Sequence, residues 1–150
     1  GSEMCIRDRL NTVARVGAGD TICVLPTSLD VFIGFREPTI YIDNGLKKDG
    51  CRYNLVLRHE HQHQQVSIAA LEYFMPRIRA EIQKALPVVR PRAVASLSAT
   101  DAATEEMNGE YIRLIRPLVN DFKATLLYEQ KKLDNRENYR FESGICKGRP

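Results

Sequence analysis

The chain has 150 residues, 43% of them hydrophobic, and 22 Lys and Arg against 19 Asp and Glu leave a net charge of +3. That length suits one domain, and that apolar share is enough for a core, which excludes wholesale disorder. Charges of both signs are interleaved without a basic arm, which argues against a nucleic-acid partner, and no apolar run approaches the roughly 20 residues of a membrane span.

In chain order, Gly1-Ser2 reads as a cloning remnant. Met4-Cys5-Ile6-Arg7-Asp8-Arg9 is similar to the translated end of a sequencing-library adapter, so residues 1–9 are expected to be an artefact segment and residues 10–150 a single domain. The natural start, with any signal, then lies outside the chain. Residues 11–43 read as three or four strands of a small antiparallel sheet. Thr12–Val16 is followed by the turn Gly17–Asp20, and Thr21–Leu25 is ended by Pro26. Val31–Phe35 and Thr39–Asp43 are rich in β-branched and aromatic residues, and Arg36-Glu37-Pro38 joins them as a hairpin. Within the last run Ile40 and Ile42 point one way and Thr39, Tyr41 and Asp43 the other.

From about Arg52 the apolar period becomes helical: Leu55, His59, His63, Val66 and Ala70 form one stripe, with Asn54 as a possible cap. Pro76 is expected to kink or interrupt this helix, and Pro87–Pro91 ends it. A second long helix begins at Ser98–Asp101, a capping signal, and runs to Leu127 with a bend at Pro117. Asp134–Asn138 reads as a turn. The expected fold is α+β: a small sheet followed by two long antiparallel helices.

All three histidines fall in His59-Glu60-His61-Gln62-His63. His59 and His63, four apart on a helix, present two imidazoles on one face, within reach of one zinc ion (Zn2+). Glu60, about 100° round the same helix, suits a general base acting on water rather than a metal ligand. The bland alternative is a helix with solvent-facing histidines, and His61 is read as a bystander. No histidine remains for a third ligand. An antiparallel second helix regains the level of His59 only near residues 120–130 and beyond, leaving Asp121, Tyr128, Glu129, Asp134, Glu137 and Tyr139 in reach. Glu105, Glu106 and Glu110 fall at the far end, and Glu72 lies about 14 Å past His63.

The H-E-x-x-H pattern resembles the zincin metalloproteases. The chain also resembles a bacterial family of predicted secreted zinc-dependent proteases, which pairs that motif with a late Y-D-x-x-T-x-H-G segment. Leu133-Asp134-Asn135-Arg136-Glu137-Asn138-Tyr139-Arg140 falls in the corresponding place. Asp134 matches the family's aspartate, whereas Glu137 replaces its threonine and Tyr139 its late histidine. Asp134 or Glu137 is the expected third ligand, with Glu129 next, and Tyr139 is a ligand or an oxyanion stabiliser. The resemblance implies a minimal zincin-like fold in which Thr39, Tyr41 and Asp43, on an edge strand, hold an extended peptide or protein substrate.

Cys51 stands just before the histidine helix and Cys146 near the C-terminus, a pair suited to a disulfide, with Cys23 as an alternative partner for either. A bridge implies an oxidising compartment, periplasmic or secreted. The expected function is zinc-dependent peptide hydrolysis with Glu60 as base. The alternative, favoured by the departures at Glu137 and Tyr139, is a non-catalytic zinc- or peptide-binding module.

Overall fold

The computed structural model describes residues 4–35 and 39–149. Three strands and three α-helices follow in the order β1 (Met4–Val16), β2 (Ile22–Phe35), α1 (Cys51–Ala85), β3 (Arg92–Val94), α2 (Thr100–Leu133) and α3 (Arg136–Ile145). This is the expected α+β arrangement, a small antiparallel sheet and long helices. By Cα proximity the chain divides into two compact units, one of residues 4–34 and 75–120, the other of Phe35–Phe74 and Asp121 onward. Each is described by itself.

The first unit contains the sheet, in the order β1-β2-β3. β1 and β2 are joined through Gly17–Thr21, where Gly19 and Asp20 take positive φ (66° and 61°), a conformation Gly and Asp accept more readily than most residues. β1 begins at Met4, so residues 4–9 share a strand with Leu10–Val16. β2 continues through Pro26, where the sequence suggested a stop. Its antiparallel register with β3 pairs Ile22 with Val94, Cys23 with Ala93 and Val24 with Arg92. Pro26 lies beyond the last of those pairs, so its missing N–H removes no bond on that side.

On α2, Ala103, Met107 and Tyr111 recur every four residues and so form one helical stripe. They cluster with Ala85, Val89, Leu10 and Val24. Each large side chain taken fully out of water there contributes about 1.5–3 kcal/mol. Tyr111 O–H donates to the Leu86 carbonyl, Arg92 pairs with Glu110, and Asn108 donates to Asp8.

One sequence expectation is corrected beside the sheet. Thr39–Asp43 is not a strand: these residues have no regular structure, and Asp43 Oδ1 accepts from Gly45 N–H at 2.8 Å in a side-chain turn. β2 is flanked by β1 and by Arg92–Val94, which follows α1, so this run has no place in the sheet. Tyr41 is 83% exposed. The proposed hairpin at Arg36-Glu37-Pro38 lies outside the described residues.

The second unit is helical. α1 passes through Pro76 as one 35-residue helix rather than breaking there, and Phe74 and Ile78 on either side are buried. α2 likewise runs through Pro117. Ser98 does not cap α2: it lies in a 3-10 turn, Leu97–Ala99, with its hydroxyl paired to Ser96. Within this unit the two helices run antiparallel: His63 meets Gln130, whereas Phe74, later on α1, meets the earlier Phe122 with ring centroids 5.3 Å apart.

After Leu133 the chain turns and forms α3, where the sequence suggested only a turn and a tail. Asn135 caps it, its side chain accepting from Asn138 N–H at 2.7 Å. Asn135 and Asn138 also donate to the Lys132 and Leu133 carbonyls, two of the acceptors left over at the end of α2. A disulfide between Cys51 and Cys146 then ties the end of α3 to the first residue of α1, and Cys23, the alternative partner, is not in a disulfide. The bridge closes a loop across 95 positions, a constraint on the unfolded chain of about 2–4 kcal/mol. Replacing both cysteines by serine is therefore expected to lower the unfolding free energy by about that amount, read as a drop in the urea midpoint, and reductant should reproduce the loss in the wild-type chain.

Candidate metal centre

His59 and His63 lie one turn apart on α1, and Asp134 is the first residue after α2. Their reactive atoms converge. His59 Nε2 is 3.1 Å from Asp134 Oδ1, His63 Nε2 is 2.9 Å from the same oxygen, and the two Nε2 atoms are 3.1 Å apart. These three residues form a group that can hold a metal ion. A triangle with edges near 3 Å leaves a point about 2.1 Å from every corner, roughly 1.2 Å out of its plane, which matches zinc–nitrogen and zinc–oxygen bond lengths.

The partners behind the rings decide which nitrogen carries the proton. His59 Nδ1 is 3.0 Å from Glu142 Oε1. An ionised carboxylate only accepts, so Nδ1 carries a hydrogen toward Glu142, which leaves Nε2 as the nitrogen that faces Asp134 and His63. Behind His63, the Gln130 amide nitrogen donates to the His63 carbonyl at 3.1 Å and to Ser67 Oγ at 2.9 Å. Its oxygen is thereby turned to His63 Nδ1, which donates to it. Both imidazoles thus aim Nε2 at one point, where a metal ion would take the place of any proton that Nε2 shares with Asp134.

Glu142 is only 8% exposed, and a carboxylate so buried needs donors. It has His59 Nδ1 and, more weakly, the Asn138 amide at 3.4 Å. The Tyr139 hydroxyl donates to Asp134 Oδ1 at 2.7 Å, and its ring stacks on His59 with centroids 5.5 Å apart.

The electrostatics follow from this packing. Burial works to lower the His59 pKa, but the bonds and charges of Glu142 and Asp134 outweigh it and hold the ring above its ordinary 6.5. For Asp134, burial works to raise the carboxyl pKa, and the bonds from Tyr139, His59 and His63 hold it below its ordinary 3.8. Tyr139 is pushed up to about 12, first by its bond to Asp134, then by burial and by the charges of Asp134, Glu142 and Glu60. Glu60 is half-buried, within electrostatic reach of that phenol, and makes no hydrogen bond or ion pair among the described residues.

Of the residues singled out in the sequence, His59, His63, Asp134 and Tyr139 are brought together. Glu137 is not: it is exposed in the first turn of α3, outside the cluster. Glu129 pairs with Lys132 at 2.8 Å. Asp121 and Tyr128 are exposed, and His61 points to solvent. Thr39, Tyr41 and Asp43 form no edge strand for a peptide. Gln130, Ser67, Asn138 and Glu142 were missed. A signal for Glu142 existed: Asn135, Asn138, Glu142 and Cys146 recur at three and four residues, the period of one helical face.

No family model, curated protein or solved structure matches this chain.

Removal of the Glu142 carboxylate tests the ring support. Glu142→Ala is expected to weaken metal binding about 10–100-fold, read by competition with a chelator, while Glu137→Ala leaves it unchanged. The pKa directions set a pH dependence. A raised His59 pKa contributes stability present below pH 6.5 and lost as pH rises through the raised value; a lowered Asp134 pKa contributes stability present above pH 3.8 and lost as pH falls through the lowered value. In metal-free protein the cluster therefore helps most between about pH 4 and 6.5. Binding displaces the His59 proton, so metal affinity is expected to rise with pH from 5.5 to 7.5 in isothermal titrations, with proton release at the lower end.

Proposed function

We propose that the chain is a zinc-dependent peptide hydrolase of the zincin kind, exported to the periplasm or the exterior of a bacterium. The observation that carries the reading is the convergence of two imidazole nitrogens and one carboxylate oxygen, all from protein groups, at the helix that carries a glutamate at the second position of H-E-x-x-H. Three protein ligands leave a coordination position open, as catalytic zinc sites do; a structural site takes four. Two imidazoles and a carboxylate suit zinc by ligand type, although the same set also serves iron. The Cys51–Cys146 bridge supports an oxidising compartment. Among the described residues no helix is long and apolar enough to cross a membrane.

When bound, zinc supplies a water with its pKa lowered to about 7 and a Lewis acid for the scissile carbonyl. His59, His63 and Asp134 hold the ion, and Glu142 and Gln130 keep both rings in the donor tautomer. Glu60 accepts a proton as the water oxygen bonds to the carbonyl carbon. The same carboxyl returns that proton to the nitrogen as the C–N bond breaks, giving an acid and an amine. Tyr139, protonated at every ordinary pH, holds Asp134 by its O–H bond. This role differs from the oxyanion contact suggested by sequence.

Glu60→Gln keeps the shape and removes the base. It is expected to lower peptide turnover by at least about 100-fold while zinc still binds at one equivalent, assayed on a denatured protein substrate with metal content by mass spectrometry. Turnover unchanged in that variant rules out the assigned base. Zinc at one equivalent without turnover in the wild-type chain leaves a non-catalytic metal-binding module instead.

A further inference from the structure

A cavity of about 530 Å³ lies in the same helical unit, at the start of α1 and the end of α3. Its lining includes Lys47, Arg52, Lys147 and Arg149 and no acidic side chain. Among the described residues none of these four cations is in an ion pair, and all four are exposed. Like charges do not gather by themselves. Here the Cys51–Cys146 bridge, which also lines the cavity, brings two basic segments together from opposite ends of the unit's chain. Four positive charges line the cavity, and a carboxylate at its edge, Asp43, is already bonded to the Gly45 N–H, so the net field favours an anionic group.

The position of the cavity gives that group a context. Arg52 precedes His59 by seven residues, which puts it on nearly the same face of α1 and about 10 Å back along the axis. On α3, Cys146 follows Glu142, the carboxylate behind His59, by one turn. An extended peptide advances about 3.3 Å per residue, so a group three residues from a bond at the metal centre reaches this distance. We propose that the cavity is a carboxylate subsite: it receives an Asp or Glu side chain, or the C-terminal carboxylate, of a peptide whose bond at the third residue from it lies at His59 and His63. This inference rests on the hydrolase reading and names its substrate class.

The test uses the full chain carrying Glu60→Gln, so that peptides stay intact, and fluorescein-labelled octapeptides of alanine and glycine. One carries a single internal glutamate and an amidated end, one has no acid but a free C-terminus, and one has neither. Anisotropy at low salt is expected to show an acid-bearing peptide binding about tenfold tighter than the neutral one, and the tighter of the two identifies the source of the carboxylate. Arg52→Gln/Lys147→Gln should abolish the difference, as should the independent pair Lys47→Gln/Arg149→Gln, while Arg52→Lys retains it. Equal affinity for all three peptides overturns the proposal, and so does a preference that survives both double variants. Cleavage by the wild-type chain is scored separately. Carboxylate-dependent binding without any cleavage removes the hydrolase reading and keeps the anion site. Cleavage without acid preference keeps the hydrolase and removes the subsite.

Discussion

Two imidazole nitrogens 3.1 Å apart, with a carboxylate oxygen facing both, gather negative potential at one point. Without something positive between them this arrangement is costly, and the rest of the site is built to maintain it. Glu142 and Gln130 hold the opposite nitrogen of each ring, which aims each Nε2 at the common point. A proton on His59 is one such cation: burial works against it, but the bonds and charges of Glu142 and Asp134 hold that ring above its ordinary pKa. A metal ion that bound the same three atoms would compete with that proton.

The parts that impose this geometry come from distant places in the sequence. His59 and His63 come from the front of α1, Gln130 from the last turn of α2, Asp134 from the residue after it, and Glu142 from α3. The antiparallel course of α1 and α2 within their unit brings the first three together. The Asn135 cap then reverses the chain within two residues of Leu133, so that α3 carries Glu142 under His59. The disulfide anchors the end of α3 to the start of α1. One covalent bond thus limits the freedom of the helix that supports a metal ligand, and the same bond assembles the basic cavity.

The histidine pentad was legible because its meaning is local. Four residues make one helical turn whatever lies elsewhere, so H-E-x-x-H on an apolar stripe already aims two rings together. The long helices were legible from their period, and their direction from the shortness of the chain between them, which is how Asp134 could be placed near the metal among other candidates. Pro76 does not interrupt α1 because one lost hydrogen bond, together with the clash it brings, is a small local cost that a 35-residue helix carries without breaking. Thr39–Asp43 misled because alternation describes any chain able to form a strand, whereas a strand needs a neighbour, and β2 takes Arg92–Val94 instead.

By itself the sequence determined the elements whose causes lie within a few residues: the helix that carries the histidine pair, the general architecture, and a balance of basic and acidic residues. Only the tertiary structure put Asp134 beside both histidines and left Glu137 outside the cluster, because three positions along a chain are a trivial separation until a turn and a capped helix give them different neighbours. It alone joined Cys51 to Cys146 and put Glu142 behind His59, since contacts across 95 and 83 positions depend on how helices return past one another, which no local pattern encodes.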